Sequence, residues 1–217
     1  MGSDVPRIKF CGLTNLGDAE VAVAAGAWAL GLNFWPGSKR RCTLAAAAEI
    51  SAALRRRTHV VGVFVNATLD EIAGTADAVA LSMVQLHGDE GPAFCGEVAR
   101  RTGCKVIKAA RVRSGADIRA LAAFHTDFHL LDSYSPSAPG GTGETFSWEL
   151  ARGHRGPAPL ILSGGLTPAN VAAAIGAVHP FAVDVASGVE SSPGRKDHDK
   201  LHAFTAAVRG AVATPVS

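Results

Sequence analysis

Short runs of branched apolar residues alternate with longer alanine-rich segments whose apolar positions recur at helical spacing, from residue 7 almost to the end of the chain. The apolar runs predict eight strands: Arg7–Cys11, Ala29–Phe34, Val60–Val65, Met83–His87, Val106–Ala109, Phe128–Asp132, Leu160–Ser163 and Ala182–Val185. Between them lie helical patterns such as "NLGDAEVAVAAG", "TLAAAAEISAALRRR" and "TPANVAAAIGAV", with "DHDKLHAFTAAVRGAV" as the last and a short sixth one around "FSWELARG". Asn15 and Thr167 suit the N-cap position, and Pro168 suits the first turn that would follow. No Pro/Gly/Ser-rich linker interrupts the series, so one domain is expected over residues 1–217, with residues 1–4 a flexible or appended start. Strands apolar on both faces need cover on both faces, and eight strand–helix units in succession predict an α/β fold, a (β/α)8 or TIM barrel. An open doubly wound sheet alternates in the same way, but its GxGxxG fingerprint is missing, as is the phosphate loop GxxxxGK[ST].

Composition narrows the function classes. A content of 47% hydrophobic and 18% charged residues is too apolar for a disordered chain. Twenty-one Lys and Arg stand against 19 Asp and Glu, so the net charge of +2 gives no general case for nucleic acid or membrane binding. No segment offers about 18 consecutive apolar residues for a membrane span. Cys11, Cys42, Cys95 and Cys104 are widely spaced, with no CxxC and no zinc-type pattern, which fits reduced thiols and a cytoplasmic protein. "KDHDK", Lys196 to Lys200, is metal-like in composition but opens the last helix, and reads as a cap and charge pattern. No metal is expected.

In a barrel the C-terminal strand ends converge on one face, where the active site lies. Those ends read "FCGLTN", "NFWPGSKRR", "FVNAT", "QLHGDE", "KAARV", "LDSYSPSAPGGTGETF", "LSGGLTPAN" and "DVASGVESSPG". "SGGL" after strand seven and "ASGVE" after strand eight are small-residue loops at the pair of strands that frequently holds phosphate in barrels, so a phosphorylated small molecule is expected. Taken singly, Gly164, Gly165 and Gly188 would be no more than tight turns. Cys11 and Asp132 face the same opening, and a thiolate base with a carboxylic acid across from it suits two proton transfers at different atoms. Arg40 is long enough to grip a carboxylate, although Lys39 and Arg41 beside it read equally as a solvated charge run. His87 and Asp184 point to the same face, His87 having a purely structural alternative.

The motifs "KFCGLTN", "FWPGSKR", "GVFVN", "VQLHG", "LLDS" with "GGTGETF", "LSGGLTPANV" and "PFAVDVASGVE" with "PGRKDHDKL" occur in one order from about Arg7 to Val208. Together they resemble the phosphoribosylanthranilate isomerase family of tryptophan biosynthesis, a family of (β/α)8 barrels. The resemblance implies a cofactor-free Amadori rearrangement, with Cys11 as general base, Asp132 as general acid and Arg40 on the anthranilate carboxylate. It implies further that Asp184 orients the substrate amine and that the backbone of Gly164, Gly165, Ala186 and Ser187 cradles the phosphate. "GLNFWP" departs from the family's pattern and places Asn33 and Trp35 where they would reshape the pocket near the anthranilate ring.

Other readings stay open on sequence alone. An indole-glycerol-phosphate synthase would need catalytic Lys and Glu at inner strand ends, and a histidine-pathway isomerase pairs two aspartates without this cysteine. A barrel that binds a phosphorylated ligand without converting it keeps the same loops. Protein partners and oligomeric state are not legible, and Gly140 to Gly143 reads as a lid.

Overall fold

The computed structural model describes residues 5–133 and 148–213; the start at residues 1–4 and the expected lid at Gly140–Gly143 lie outside the described residues. Eight parallel strands close on themselves in chain order: β1 (Arg7–Cys11), β2 (Ala29–Asn33), β3 (His59–Phe64), β4 (Met83–Leu86), β5 (Lys105–Val112), β6 (Phe128–Ser133), β7 (Leu160–Leu162) and β8 (Ala182–Val185). β1 pairs with both β2 and β8, which closes the barrel predicted from the unit count.

The helices begin where short polar side chains replace the missing backbone partners of the first turn. Asn15 accepts from the Asp18 N–H ahead of α1 (Leu16–Ala24), and Thr43 caps α2 (Leu44–Leu54). Thr68 and Glu71 form a reciprocal capping box on α3 (Leu69–Val79), whereas α4 (Pro92–Thr102) starts on Pro92 and stops at Gly103 in the left-handed region. α5 (Gly115–Ala120) is boxed by Ser114 and Asp117, and α6 (Trp148–Ala151) is the short helix expected.

Thr167 does not cap the next helix. Asn170 stands at the N-cap of α7 (Val171–Val178), because residues 167–170 form a separate turn. The Thr167 N–H donates to Asn170 Oδ1 at 2.8 Å, and the Asn170 amide donates to the Gly165 carbonyl at 2.9 Å. Asn170 thus ties down the glycine loop after β7. Two further departures have similar causes. β5 runs past its apolar stretch because the ladder to β6 continues through Arg111↔Asp132 and Val112↔Ser133. After β8 a small antiparallel hairpin, β9 (Glu190–Ser192) and β10 (Arg195–Lys196), precedes α8 (His198–Ala213).

Strand side chains alternate between two layers. Ile8, Phe10, Leu30, Leu32, Val60 and Val183 pack outward beneath the helices, while Ala29, Val61, Met83, Ile107, Leu130, Ile161 and Ala182 fill the inside. Trp28, Phe128 and Phe181 close the N-terminal end, Trp28 lying edge-on to both phenylalanines with centroids 5.4 and 5.5 Å away.

Candidate active site

Counting in twos from the inner layer leads out of the apolar core and into the C-terminal mouth. From Ala29 come Gly31 and Asn33; from Met83, Gln85 and His87; from Leu130, Asp132; from Ile161, Ser163; from Ala182, Asp184; and on β1 the same parity carries Lys9 and Cys11. Cys11, Asn33, Gln85, His87, Asp132, Ser163 and Asp184 line one cavity of about 240 Å³. Its remaining wall includes Gly12, Arg40, Gly164, Gly165, Ala186 and Ser187, so every site residue expected from the sequence meets there.

Cys11 ends β1 opposite Gly31, where a Cβ would stand 2.6 Å from the Cys11 Sγ. Glycine at 31 is therefore the space the thiol occupies. Lys9, with no exposed surface, donates from Nζ to Asp184 Oδ1 at 2.9 Å, across the β1–β8 register that pairs the two residues. Ser163 Oγ donates to the other oxygen of Asp184 at 3.2 Å, which fixes the carboxylate at both ends. Burial pushes the Cys11 thiol above its ordinary pKa; the Lys9 ammonium opposes this, Asp184 adds to it and Lys196 opposes it, but burial prevails. For Lys9, burial acts downward and is outweighed by Asp184 and Cys11, so its pKa is raised and the ammonium persists.

Across the mouth, His87 Nε2 lies 3.3 Å from Asp132 Oδ2, and the Gln85 amide nitrogen lies 2.9 Å from His87 Nδ1. With that amide donating to Nδ1, Nε2 is the ring nitrogen left to carry a hydrogen toward Asp132. Gln85 sets the tautomer and His87 orients the carboxyl group.

Of the three adjacent cations after β2, Arg40 alone lines the cavity, while Lys39 and Arg41 are exposed. Its Nε donates to both Glu190 oxygens, at 2.9 and 3.0 Å, and its Nη2 donates to Oε2 at 2.8 Å. Gly12 has φ +76°, and a Cβ there would lie 2.6 Å from Arg40 Cδ, so this glycine both turns the chain and admits the arginine stem. Glu190 also meets Lys196, at 3.1 Å. Burial would raise the Glu190 pKa, but Arg40 and Lys196 hold it below the usual carboxylate value.

Lys196 is a correction to the sequence reading, which placed it in a cap and charge pattern. It belongs to β10 and its side chain is buried; Asp197, which accepts from the Lys200 N–H at 3.1 Å, supplies the cap. The Lys196 ammonium donates to the Cys11 carbonyl at 2.7 Å and to the Ala186 carbonyl at 3.0 Å. Lys9, Gln85, Ser163 and Glu190 also went unassigned. The available signal was parity: Lys9 is a charge between Ile8 and Phe10, two places before Cys11, a position that buries it toward the barrel interior.

The two small-residue loops touch. A Cβ on Gly188 would fall 1.9 Å from the Leu166 carbonyl oxygen, and Gly164 and Gly165 take φ of +91° and +64°. Asn33 lines the cavity, whereas Trp35 stands over a neighbouring depression bordered by Lys108, Arg111 and Phe124, so the two departures in "GLNFWP" act in different places. Among the described residues, no three His, Cys, Asp or Glu side chains group as a metal site requires, and no helix is long and apolar enough to cross a membrane. All four cysteines are free.

Residues 8–207 match the profile of the N-(5'-phosphoribosyl)anthranilate isomerase family. The N-(5'-phosphoribosyl)anthranilate isomerase of a Geobacter species is 50% identical over 200 residues, covering 92% of this chain and 96% of the relative. The chain is also similar to the crystal structure of phosphoribosyl anthranilate isomerase from Thermotoga maritima, at 44% identity and TM-score 0.85, over 94% of this chain and 99% of that one. A further solved isomerase, in complex with reduced 1-(o-carboxyphenylamino)-1-deoxyribulose 5-phosphate, is 42% identical with TM-score 0.81, over 94% of this chain and 99% of that chain.

Proposed function

The chain belongs to the N-(5'-phosphoribosyl)anthranilate isomerase family and isomerises N-(5'-phosphoribosyl)anthranilate in tryptophan biosynthesis; we propose that it does so with Cys11 as base and Asp132 as acid. Asp132 protonates the furanose ring oxygen as the C1'–O bond breaks, leaving an iminium at C1'. The iminium acidifies the neighbouring C–H bond, and the Cys11 thiolate removes the C2' proton to give an enolamine. Ketonisation then yields 1-(2-carboxyphenylamino)-1-deoxyribulose 5-phosphate, with no atom gained or lost overall.

The observation that carries this reading is that both groups line one cavity between the glycine loops and Arg40. The backbone of Gly164, Gly165, Ala186 and Ser187 takes the phosphate, which the small side chains allow to approach closely. Arg40, with two nitrogens already committed to Glu190, turns its remaining edge to the anthranilate carboxylate. Asp184, held by Lys9 and Ser163, orients the substrate amine, and His87 supports Asp132.

The test is turnover of freshly generated phosphoribosylanthranilate, followed by loss of its fluorescence, in the wild type beside Cys11→Ala and Asp132→Asn. Each variant is expected to fold and to lose at least about a hundredfold in kcat, the usual contribution of a placed acid or base. A variant that keeps wild-type kcat removes that residue from the mechanism.

A further inference from the structure

The hairpin of β9 and β10 is a strap packed beside the cavity, behind Cys11, Arg40 and Ala186. Thr14 Oγ1 donates to the Gly194 carbonyl at 2.6 Å, the Lys196 N–H donates to Asp18 Oδ2 at 2.9 Å, and Lys200 Nζ donates to the Glu190 carbonyl at 3.0 Å. The strap is thereby anchored on the β1–α1 loop, on α1 and on α8. Its two buried charges, Glu190 and Lys196, lie behind the cavity wall and contact residues that line it: Arg40, Cys11 and Ala186.

A continuous ring of contacts results. Cys11 gives its carbonyl to Lys196, Lys196 pairs with Glu190, Glu190 grips Arg40 by two nitrogens, and the Arg40 stem lies against Gly12, the residue after Cys11. Glu190 is nearly inaccessible and the Lys196 side chain fully so, which makes the geometry of this ring hard to vary. The ring joins the group proposed as base to the group proposed as carboxylate clamp without passing through substrate.

We propose that Glu190 and Lys196 are positioning residues, Lys196 pinning the strand end that carries the Cys11 thiol and Glu190 fixing the Arg40 guanidinium in register with it. This assignment rests on the functional reading above. Formal charge agrees with it. The groups facing the thiol are Lys9 on β1, Asp184 on β8, Lys196 on β10 and Arg40 from the loop after β2, with Glu190 behind the last two. Three cations against two carboxylates leave one positive charge, which a Cys11 thiolate neutralises. Lys196 is therefore placed to favour the reactive form of the base as well as its position.

Two measurements on the full chain test the assignment: the pH dependence of Cys11 alkylation by iodoacetamide, read on the Cys11 peptide by mass spectrometry, and kcat and KM on phosphoribosylanthranilate. Lys196→Met is expected to move the alkylation midpoint up by about one pH unit and to lower kcat about tenfold. Lys196→Arg, which keeps the charge, should return the midpoint toward the wild type. Glu190→Gln is expected to raise KM about tenfold with kcat within about threefold, the signature of a misplaced binding group. If Lys196→Met fails to fold, Lys196→Gln keeps an N–H donor for the Cys11 carbonyl without the charge, and its midpoint is read instead.

An unmoved midpoint with unchanged kcat in the lysine variants overturns the role of Lys196. A Glu190→Gln enzyme that loses kcat at constant KM overturns that of Glu190. A wild type that binds phosphoribosylanthranilate without converting it defeats the functional reading, and the alkylation series then still decides whether Lys196 governs the thiol.

Discussion

The two ends of the barrel are made from the same eight strands and have opposite chemistry. The N-terminal end is closed by Trp28, Phe128 and Phe181 over an inner layer of Met83, Ile107, Leu130 and Ile161. The C-terminal end continues the same inward-facing positions with Lys9, Gln85, His87, Asp132 and Asp184. Burial at the closed end stabilises the fold directly, at roughly 25 cal/mol per Å² of apolar surface. At the mouth, burial is unfavourable for every charge and is tolerated only because each has a partner. The comparison separates what holds the barrel together from what makes it react.

The sharpest break in this division comes from Lys9→Met, which leaves Asp184 buried with Ser163 as its remaining partner. Losing one member of a buried pair costs about 3–5 kcal/mol, and it removes the cation that most strongly opposes the rise in the Cys11 pKa. Denaturant unfolding and turnover should both fall in this variant. Ile107→Ala, at the closed end, should cost about 2–5 kcal/mol by leaving a cavity, while kcat of the folded fraction stays at the wild-type value. Lost activity per folded molecule in Ile107→Ala would dissolve the distinction between the two ends.

A smaller effect is expected from Gly188→Ala. The new Cβ would collide with the Leu166 carbonyl and push the two small-residue loops apart, at about 1–3 kcal/mol, with KM for the phosphorylated substrate rising more than kcat falls. The mildest test uses pH. On the outer face of β6, His129 Nδ1 lies 2.9 Å from His154 Nε2, and burial lowers the pKa of both imidazoles, with His129 and Arg155 adding to the effect on His154. A base whose pKa is depressed in the folded state takes up its proton more readily when unfolded, so stability should decline as pH falls below about 6.5. With Cys11 as the proposed base, the acid limb of kcat/KM instead follows its thiol, which burial raises, and should lie on the alkaline side of an ordinary cysteine. Melting temperature and kcat/KM should therefore fall in separate pH ranges, and a His154→Gln variant should flatten the first without moving the second.

Much of this was legible in the sequence because strand alternation and loop chemistry are local. The eight apolar runs matched the eight strands within a few residues, and Cys11, Asp132 and Asp184 could be assigned to the mouth because each stands at or one residue before the end of a run. Thr167 and Lys196 were misread for one reason. Each has a local role that its neighbours suggest, a cap, and each was claimed by another contact: Thr167 by the turn in which Asn170 holds Gly165, and Lys196 by the distant Cys11 carbonyl. The charge pattern alone could not choose among Lys39, Arg40 and Arg41, a choice that came from the family resemblance, because it depends on where Glu190 arrives, 150 positions later.

The Cys11–Lys196 contact spans 185 positions, and that span has a consequence for how the protein is made. During synthesis the lysine leaves the ribosome 185 residues after the cysteine. Until β8 and the strap appear, β1 lacks a neighbour on one side and Cys11 lacks one of its cations. The nascent chain therefore carries its thiol outside the finished site until all eight strands and the strap have been made, and the cavity is complete only when the last of them reach β1.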